Sequence, residues 1–181
     1  MAWRSKRRVM HAYDVTNELY DERYRAEQQC KYYKAMEFVE VQGFVVIDVG
    51  CGSGLFLQKV SVGANFVVGI DISRKLLRKA KHYAALNVDV VQADADYLPF
   101  LDCMFGVVFS FTVLQNLPKP AKTLQEIKRI IKKDGKVVIT GLKKAFPQTR
   151  FHDLIMASGM KTIVFDDEEA LNCYITVLTA L

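Results

Sequence analysis

The sequence predicts a doubly wound α/β fold, in which helices cover both faces of a mostly parallel sheet. The first observation is the run 44–49, which is apolar on both alternating faces and rich in β-branched residues, as suits a central strand. The second is that strand-like and helix-like stretches alternate after it. The third is size, because 181 residues with 51% hydrophobic content suit one domain with one core. Together they predict a three-layer sandwich.

Seven strands, with the helices between them, follow in a regular order. The predicted strands are 44–49, 66–70, 88–92, 106–111, 136–140, 161–165 and 172–178. The predicted helices between and after them are 55–61, 74–86, 121–133 and 149–157. The segment between Gln92 and Gly106 contains Pro99 and several aspartates, so it predicts mostly loop. The last two strands predict a hairpin, which makes the C-terminal end of the sheet antiparallel.

The chain before the first strand divides into two segments of one domain. Residues 1–12 carry four cations before the first acid and predict a basic, flexible tail that could contact RNA or be merely solvated. Residues 13–42 are rich in helix formers without Gly or Pro, and they predict one or two helices before the first strand. Residues 43–181 are then the doubly wound α/β core.

Composition and residue spacing exclude several classes of protein. No stretch approaches the ~20 continuous apolar residues of a membrane span, and the basic start lacks the apolar core of a secretion signal. We therefore predict a cytoplasmic protein. The four cysteines form no Cys-x-x-Cys pair, the three histidines are isolated, and no carboxylate cluster resembles a magnesium site. The sequence thus predicts reduced thiols and no metal.

A glycine-rich loop and two acids outline a candidate nucleotide site. The first strand runs directly into the loop 50–54, whose glycines let backbone N–H groups approach a ligand. Asp71 closes the second strand, where a carboxylate can accept hydrogen bonds from ribose hydroxyls. Asp94, or its backbone neighbour Ala95, follows the third strand and could reach an adenine amino group. Alternatively, Asp71 caps the next helix and Asp94 lies in a solvated turn.

Glycine spacing separates the two cofactors that fit this outline. Nicotinamide-binding domains use Gly-x-Gly-x-x-Gly for a pyrophosphate, whereas Gly50, Gly52 and Gly54 form Gly-x-Gly-x-Gly, with Asp48 two residues earlier. The spacing favours a cofactor without a pyrophosphate. A nicotinamide-dependent oxidoreductase remains the weaker alternative.

The motifs resemble those of class I, Rossmann-like methyltransferases that use S-adenosylmethionine. Residues 48–54 resemble the first motif of the family, 69–73 the second, 92–100 the adenine-binding stretch and 105–118 the fourth-strand segment. In particular, the chain resembles the small ubiquinone/menaquinone C-methyltransferase type. One departure is Gly106, where the family usually has an aspartate.

The resemblance implies S-adenosyl-L-methionine as cofactor, S-adenosyl-L-homocysteine as product, and a set of binding residues. The implied cofactor contacts are Asp48, Gly50, Cys51, Gly52, Gly54, Asp71, Ile72, Asp94, Ala95, Ser110 and Phe111. On the acceptor side the candidates are Gln115, Asn116 and Tyr20, the last because the resemblance implies that the helical segment 13–42 forms a lid over the cofactor. Gln115 and Asn116 could equally cap the turn before Pro118, and Tyr20 could simply pack in its helix.

The acceptor is predicted as either a macromolecule or a small molecule. Neither an Asn-Pro-Pro-Tyr-like sequence nor a Pro-Cys nucleophile stands at 110–113, which disfavours adenine-N6, glutamine and cytosine-C5 chemistry. Few residues follow the fifth strand before the last helix, so the acceptor site is expected to be open. Basic residues at 143, 144 and 150, and in the helix from 74, are compatible with RNA or protein, although such a helix is often a solvated face. The alternative function is a non-catalytic subunit that supports a partner.

Overall fold

One seven-stranded sheet organises the fold. The computed structural model of the chain describes residues 2–82 and 85–180, without the side chains of residues 2, 3, 5 and 12–26. The strands are β1 (Val45–Val49), β2 (Phe66–Asp71), β3 (Val88–Gln92), β4 (Phe105–Ser110), β5 (Ile131–Leu142), β6 (Lys161–Asp166) and β7 (Cys173–Thr179). The helices are α1 (Ala2–Glu37), α2 (Leu55–Ser61), α3 (Arg74–His82), α4 (Pro120–Ile130) and α5 (Gln148–Met156).

The strand order β3-β2-β1-β4-β5-β7-β6 confirms the predicted doubly wound sheet. Strands β1 to β5 are parallel, and β7 lies between β5 and β6, antiparallel to both. The chain direction across the sheet reverses between β1 and β4. Ligands of open α/β sheets bind at the carboxyl ends of the strands on either side of such a reversal. The topology therefore positions a site at the ends of β1 and β4.

Two apolar clusters, one on each face of the sheet, confirm the three-layer architecture. On one face Phe56 and Leu57 of α2 pack with Ala35 of α1. On the other face Leu124 of α4 packs with Phe151 of α5. The buried residues of β1 alternate between the clusters, as a strand covered on both sides requires. Among the described residues, no helix has both the length and the apolar content to cross a membrane.

The N-terminal segment differs from the prediction. Helix α1 begins at Ala2, so residues 2–12, predicted as a flexible tail, form its first turns. One of the four cations of this segment, Lys6, is buried against acids of the core. Short basic termini are usually solvated, and the sequence pattern gave no sign of this long-range pairing.

The junction between α4 and β5 also differs from the prediction. The helix was expected to reach residue 133, but it ends at Ile130, and β5 begins at Ile131, opposite Phe105 of β4. The N–H of Met104 donates to the carbonyl of Ile130, 2.8 Å away, which holds the chain extended at this point. β-Branched residues suit an extended strand better than a last helical turn. Helix α3 is described as far as His82, and residues 85 and 86, which were also predicted as helix, lie outside it.

Gly106, the departure from the family pattern, has a packing explanation. The Phe44 side chain occupies the space that a Cβ atom at position 106 would need. An aspartate at this position would therefore displace the Phe44 ring. Phe44, which immediately precedes β1, thus packs where the side chain of a larger residue at position 106 would lie.

Candidate cofactor site

A cavity opens at the carboxyl ends of β1, β2 and β4, where the topology places a ligand site. Its floor is the glycine loop after β1, and one wall comes from the segment after β4. A second wall comes from the segment after β3, and α1 covers the cavity with Lys6, Gln28 and Tyr32. The cavity thus joins segments that lie far apart in the sequence.

The glycine loop is tied to the neighbouring strand by its backbone. The N–H groups of Gly50 and Cys51 both donate to the carbonyl oxygen of Ile70 at 2.8 Å. Gly50 has a φ of 84°, and the side chain of Val113 fills the space that a Cβ atom there would occupy. Only glycine satisfies both conditions without strain. The loop therefore lies directly against the segment that follows β4.

Asp71 is fixed at the rim of the cavity by two backbone donors. The N–H of Gly52 donates to Oδ2 at 3.1 Å, and the N–H of Ser73 donates to Oδ1 at 2.8 Å. These bonds link the glycine loop, the end of β2 and the start of α3 through one carboxylate. The predicted helix-capping role is present through Ser73, and the carboxylate also lines the cavity. Asp71 is thus held in a defined orientation toward a ligand.

Asp48 is a buried carboxyl group in the floor of the cavity. Its side chain is 2% exposed, and Oδ1 has no hydrogen-bond partner within the described part of the chain. Burial, and then the nearby charge of Asp71, raise the pKa of Asp48 to about 8. A buried acceptor without a partner is costly, unless a ligand supplies the missing donor. Asp48 therefore suits a cationic hydrogen-bond donor.

Cys51 is not suited to nucleophilic chemistry. Burial, and then the charges of Asp48 and Asp71, raise the pKa of the Cys51 thiol well above its usual value. Because the thiolate is the reactive form, the thiol stays inert at neutral pH. Its small side chain allows the loop to approach Gly69 of β2 closely.

The segment after β3 is held by a buried ion-pair cluster. The ammonium of Lys6 contacts a carboxylate oxygen of both Asp94 and Asp96, and all three side chains are largely buried. Burial alone lowers the pKa of Lys6, but the hydrogen bonds to the two aspartates outweigh it and raise the pKa. Thr123 of α4 donates to the other oxygen of Asp96 at 2.5 Å. The cluster therefore connects α1, the Asp94 loop and α4.

We expect the variant Lys6→Met to lower the free energy of unfolding by about 3 kcal/mol, because it leaves two carboxylates without their cation in a buried place. Chemical denaturation measures this change. Arg7→Met is the matched control, since Arg7 is the exposed neighbour on the same helix, and its effect should stay within about 0.5 kcal/mol. Equal effects of the two variants would contradict the contact of α1 with the Asp94 loop.

Arg129 anchors the remainder of this loop to α4. Its guanidinium donates to the carbonyl oxygens of Leu98 and Phe100, at 2.9 and 2.8 Å, and to Glu126. The Glu126 carboxylate in turn accepts the N–H of Leu98 at 2.8 Å. Hydrogen bonds to Arg129, outweighing burial, lower the pKa of Glu126. The loop that carries Asp94 is therefore fixed by the helical layer that contains α4, on the face of the sheet opposite α1.

The segment after β4 has a strained backbone that is held by side chains. Thr112 has a φ of 56°, a conformation that β-branched residues rarely adopt. Its N–H donates to Oγ1 of Thr140 at 2.8 Å, and its carbonyl accepts the side-chain amides of Gln115 and Asn116. Strained residues of this kind persist where the surroundings over-determine them, often at functional sites. Thr112 lines the cavity beside Asn116.

The acceptor-side candidates meet different outcomes. Gln115 does not line the cavity; its amide caps the Thr112 carbonyl, as the alternative interpretation predicted. Asn116 caps the same carbonyl and also lines the cavity. The side chain of Tyr20 lies outside the described residues.

Most of the predicted cofactor contacts come together in the cavity. Those that line it are Asp48, Gly50, Cys51, Gly52, Asp71, Ile72, Asp94, Ala95 and Phe111. Two do not. Ser110 is fully buried, and its hydroxyl donates to the carbonyl oxygen of Val49 at 3.2 Å, so it joins β4 to β1. Gly54 is the N-cap residue just before α2 and lies against Ala80 of α3, where it permits close packing.

Several lining residues were not predicted. Lys6, Gln28 and Tyr32 reach the cavity from α1, and Thr112 reaches it from the turn after β4. The Tyr32 ring packs on the Phe56 and Phe111 rings, with centroids 4.8 and 4.9 Å away. The tyrosine-rich helix was a signal for a lid, but the sequence did not indicate which of its residues face the site. The described residues contain no group of three or more metal-ligating side chains. The absence of a metal stays a prediction.

Comparison with known proteins identifies the family. A family model described as a methyltransferase domain matches residues 47–139, just over half of the chain. The chain belongs to this methyltransferase family. The match covers the sheet from β1 to β5 and includes the glycine loop, Asp71 and Asp94.

Curated methyltransferases are similar over most of this chain. An uncharacterized chloroplastic methyltransferase of Arabidopsis thaliana is 30% identical over 139 residues, which cover 71% of this chain and 38% of the relative. A ubiquinone biosynthesis O-methyltransferase of Neisseria meningitidis is 30% identical over 132 residues, which cover 69% of this chain and 55% of the relative. The chain thus spans about half or less of the length of these relatives.

Solved structures share the fold of this methyltransferase domain at low sequence identity. One comes from the complex between the Haloferax volcanii Trm112 methyltransferase activator and the putative methyltransferase. It has a TM-score of 0.82 and 19% identity, over 93% of this chain and 95% of that chain. A SAM-dependent methyltransferase from Aquifex aeolicus has a TM-score of 0.74 and 21% identity, over 83% and 89% of the two chains. Both likenesses support the fold alone.

Proposed function

We propose that the chain is a methyltransferase that uses S-adenosyl-L-methionine and releases S-adenosyl-L-homocysteine. One observation carries the proposal. A buried carboxyl group with an unpartnered oxygen, Asp48, lies in the same cavity as a glycine loop and two further acids, Asp71 and Asp94. This donor and acceptor set matches an adenosine joined to a cationic amino acid, and family membership supports it.

The residues present fit the cofactor part by part. Asp71 is oriented by two backbone N–H groups and would accept the ribose hydroxyls. Asp94 and Ala95 line the cavity together with apolar Ile72 and Leu76, a combination that suits an adenine ring with a polar edge. Asp48 would accept the ammonium of the methionyl part, which would satisfy its Oδ1.

The cofactor supplies an electrophilic methyl group on a sulfonium, and the protein supplies position and environment. Phe111 and Tyr32 line the cavity with aromatic rings, and such rings can stabilise a cation through their quadrupole. Thr112 and Asn116 form the rigid wall after β4 and would orient an acceptor. Cys51 takes no covalent part, because its thiol stays protonated. Catalysis would therefore rest mainly on proximity and orientation, without a metal.

Calorimetric titration tests the proposed cofactor directly. S-Adenosylmethionine and S-adenosylhomocysteine are expected to bind with dissociation constants in the micromolar range, which correspond to binding free energies on the order of −8 kcal/mol. NAD is expected not to bind. NAD is the matched control because it also carries an adenosine, but through a pyrophosphate. Binding of NAD alone would support the oxidoreductase alternative and overturn the proposal.

A second candidate is a methyltransferase-fold subunit that works with a partner. The Haloferax volcanii structure, which covers 93% of this chain at a TM-score of 0.82, comes from a complex with an activator. Under this reading the chain binds a partner and alone shows weak cofactor binding. Size-exclusion chromatography with light scattering, before and after adding a candidate activator, separates the two readings. The cytoplasmic location remains part of the proposal.

A further inference from the structure

Helix α3 concentrates positive charge at the edge of the sheet. Its nine residues include five lysines and arginines, one histidine and no acid. Leu76, Leu77 and Ala80 are buried against the sheet. Four cations on the opposite side are exposed and form what we call the basic face: Arg74, Lys75, Arg78 and Lys81.

The basic face is a compact row of charges. Arg74 and Arg78 are four residues apart and Arg78 and Lys81 are three apart, so their side chains are neighbours on the helix surface. At a rise of 1.5 Å per residue, Arg74 and Lys81 are separated by roughly 10 Å along the axis. A row of this length can contact two or three consecutive phosphates of a nucleic-acid strand.

The basic face differs from the cations of the fold that are held in ion pairs. Lys6, Lys34 and Arg129 all pair with carboxylates. Within the described part of the chain, no ion pair involves the four residues of the basic face. Like charges at this spacing cost a few tenths of a kcal/mol per pair, and cations in the first turn also oppose the helix dipole. The chain therefore carries an electrostatic cost that an anionic ligand would offset.

The basic face begins at the rim of the cofactor cavity. Asp71 and Ile72, which line the cavity, lie three and two residues before the start of α3, and Leu76 of α3 lines the cavity as well. The segment after β4, with Thr112 and Asn116, lines the same cavity. A strand bound along α3 would thus pass along the rim of the cavity, at the end proposed for the adenosine.

We propose that the basic face binds the phosphodiester backbone of RNA and directs a nucleotide toward the cavity. The proposal rests on the proposed function, because it makes RNA the class of methyl acceptor. Lysine and arginine neutralise phosphates and release counterions, so such binding depends on charge and weakens with salt. It reads the backbone and not the base sequence.

Fluorescence anisotropy with a labelled RNA oligonucleotide tests the proposal on the full chain. The test variant is Arg74→Glu with Arg78→Glu. The matched control is Lys132→Glu with Lys133→Glu, which changes the net charge equally at exposed positions of β5, at the opposite end of the parallel strands. We expect the wild type to bind with a micromolar dissociation constant at low salt. The test pair should weaken binding at least tenfold and the control pair less than threefold.

The salt dependence gives a second reading of the same contact. For single strands the slope of log K against log salt is about −0.7 per neutralised phosphate, so losing two contacts should reduce the slope by about 1.4. Equal weakening by both pairs, or no wild-type binding of RNA at low salt, would overturn the proposal. So would methyl transfer to protein and none to RNA in a fraction screen.

Titration with S-adenosylhomocysteine separates this proposal from the proposed function. The test pair is expected to bind this ligand as the wild type does, because Arg74 and Arg78 do not line the cavity. Normal cofactor binding without any RNA binding contradicts the RNA proposal alone. RNA binding without cofactor binding supports the contact of the basic face with RNA but contradicts the proposed function, and with it RNA as the methyl acceptor.

Discussion

Replacement of Asp71 by alanine is expected to raise the dissociation constant for S-adenosylhomocysteine about a hundredfold or more. A carboxylate that accepts two ribose hydroxyls contributes about 1.5–3 kcal/mol per charge-assisted hydrogen bond. Calorimetric titration measures the loss. The matched control is Asp89→Ala, because Asp89 is an exposed aspartate on the neighbouring strand β3 that does not line the cavity. Its dissociation constant should stay within about twofold of the wild type, in line with a surface substitution.

The Asp71 variant also loses two hydrogen bonds within the protein, so a purely structural effect must be separated. Asp71 accepts the N–H groups of Gly52 and Ser73, and its removal could loosen the glycine loop. An S-adenosylhomocysteine analogue without the 2′ and 3′ hydroxyls distinguishes the two. It should bind the wild type much more weakly than the natural ligand does, and Asp71→Ala should bind both alike. If the variant still prefers the natural ligand by the wild-type ratio, Asp71 does not contact the ribose.

The strands and the glycine loop were predictable because their signals are local. A buried parallel strand is recognised in the sequence as a short β-branched run, and a ligand-binding loop between such a strand and a helix is recognised by its closely spaced glycines. The predicted bounds of β3 and α2 agree with the structure residue by residue. Asp71 was predictable for the same reason, because its position at the end of a strand also gives its position at the edge of the sheet.

The failures arise where a long-range contact decides the outcome. Ser110 ends β4, one residue before the predicted end, and its hydroxyl donates to the Val49 carbonyl, a partner that only the pairing of β4 with β1 supplies. Lys6 is separated from Asp94 by 88 residues, and nothing in a basic terminus indicates such a partner. Ile131 was predicted in a helix but is the first residue of β5, because it pairs with Phe105 of β4. Periodicity within a segment carries none of this information.

The most distinctive electrostatic property of the site is the protonation of Asp48, and its effect on stability is expected to be large. Burial, and then the charge of Asp71, raise the pKa of Asp48 to about 8 in the folded protein, whereas the unfolded chain loses this proton near pH 4. Between these values the folded state binds more protons, so the free energy of unfolding falls as pH rises. This contribution is complete below about pH 4 and is lost progressively toward about pH 8.

Asp48→Asn isolates this contribution, because the amide is nearly isosteric and does not titrate. Between about pH 5 and pH 8 the variant should gain about 3 to 4 kcal/mol of unfolding free energy relative to the ligand-free wild type. Chemical denaturation at several pH values measures this difference. A constant difference between the two proteins across the range would show that Asp48 is already ionised in the folded state.

The same protonation couples cofactor binding to proton release. A ligand ammonium beside Asp48 favours the ionised carboxylate and lowers its pKa, so binding near pH 7 should expel the proton that the ligand-free protein holds. Calorimetric titration in buffers of different ionisation enthalpy is expected to report close to one proton released per S-adenosylhomocysteine bound. Asp48→Asn should not show this release. Because the ligand's own groups contribute equally to both proteins, the difference in proton release between wild type and variant belongs to Asp48. Equal release by both proteins would place the cation of the ligand away from Asp48, and the unpartnered oxygen would then need another donor.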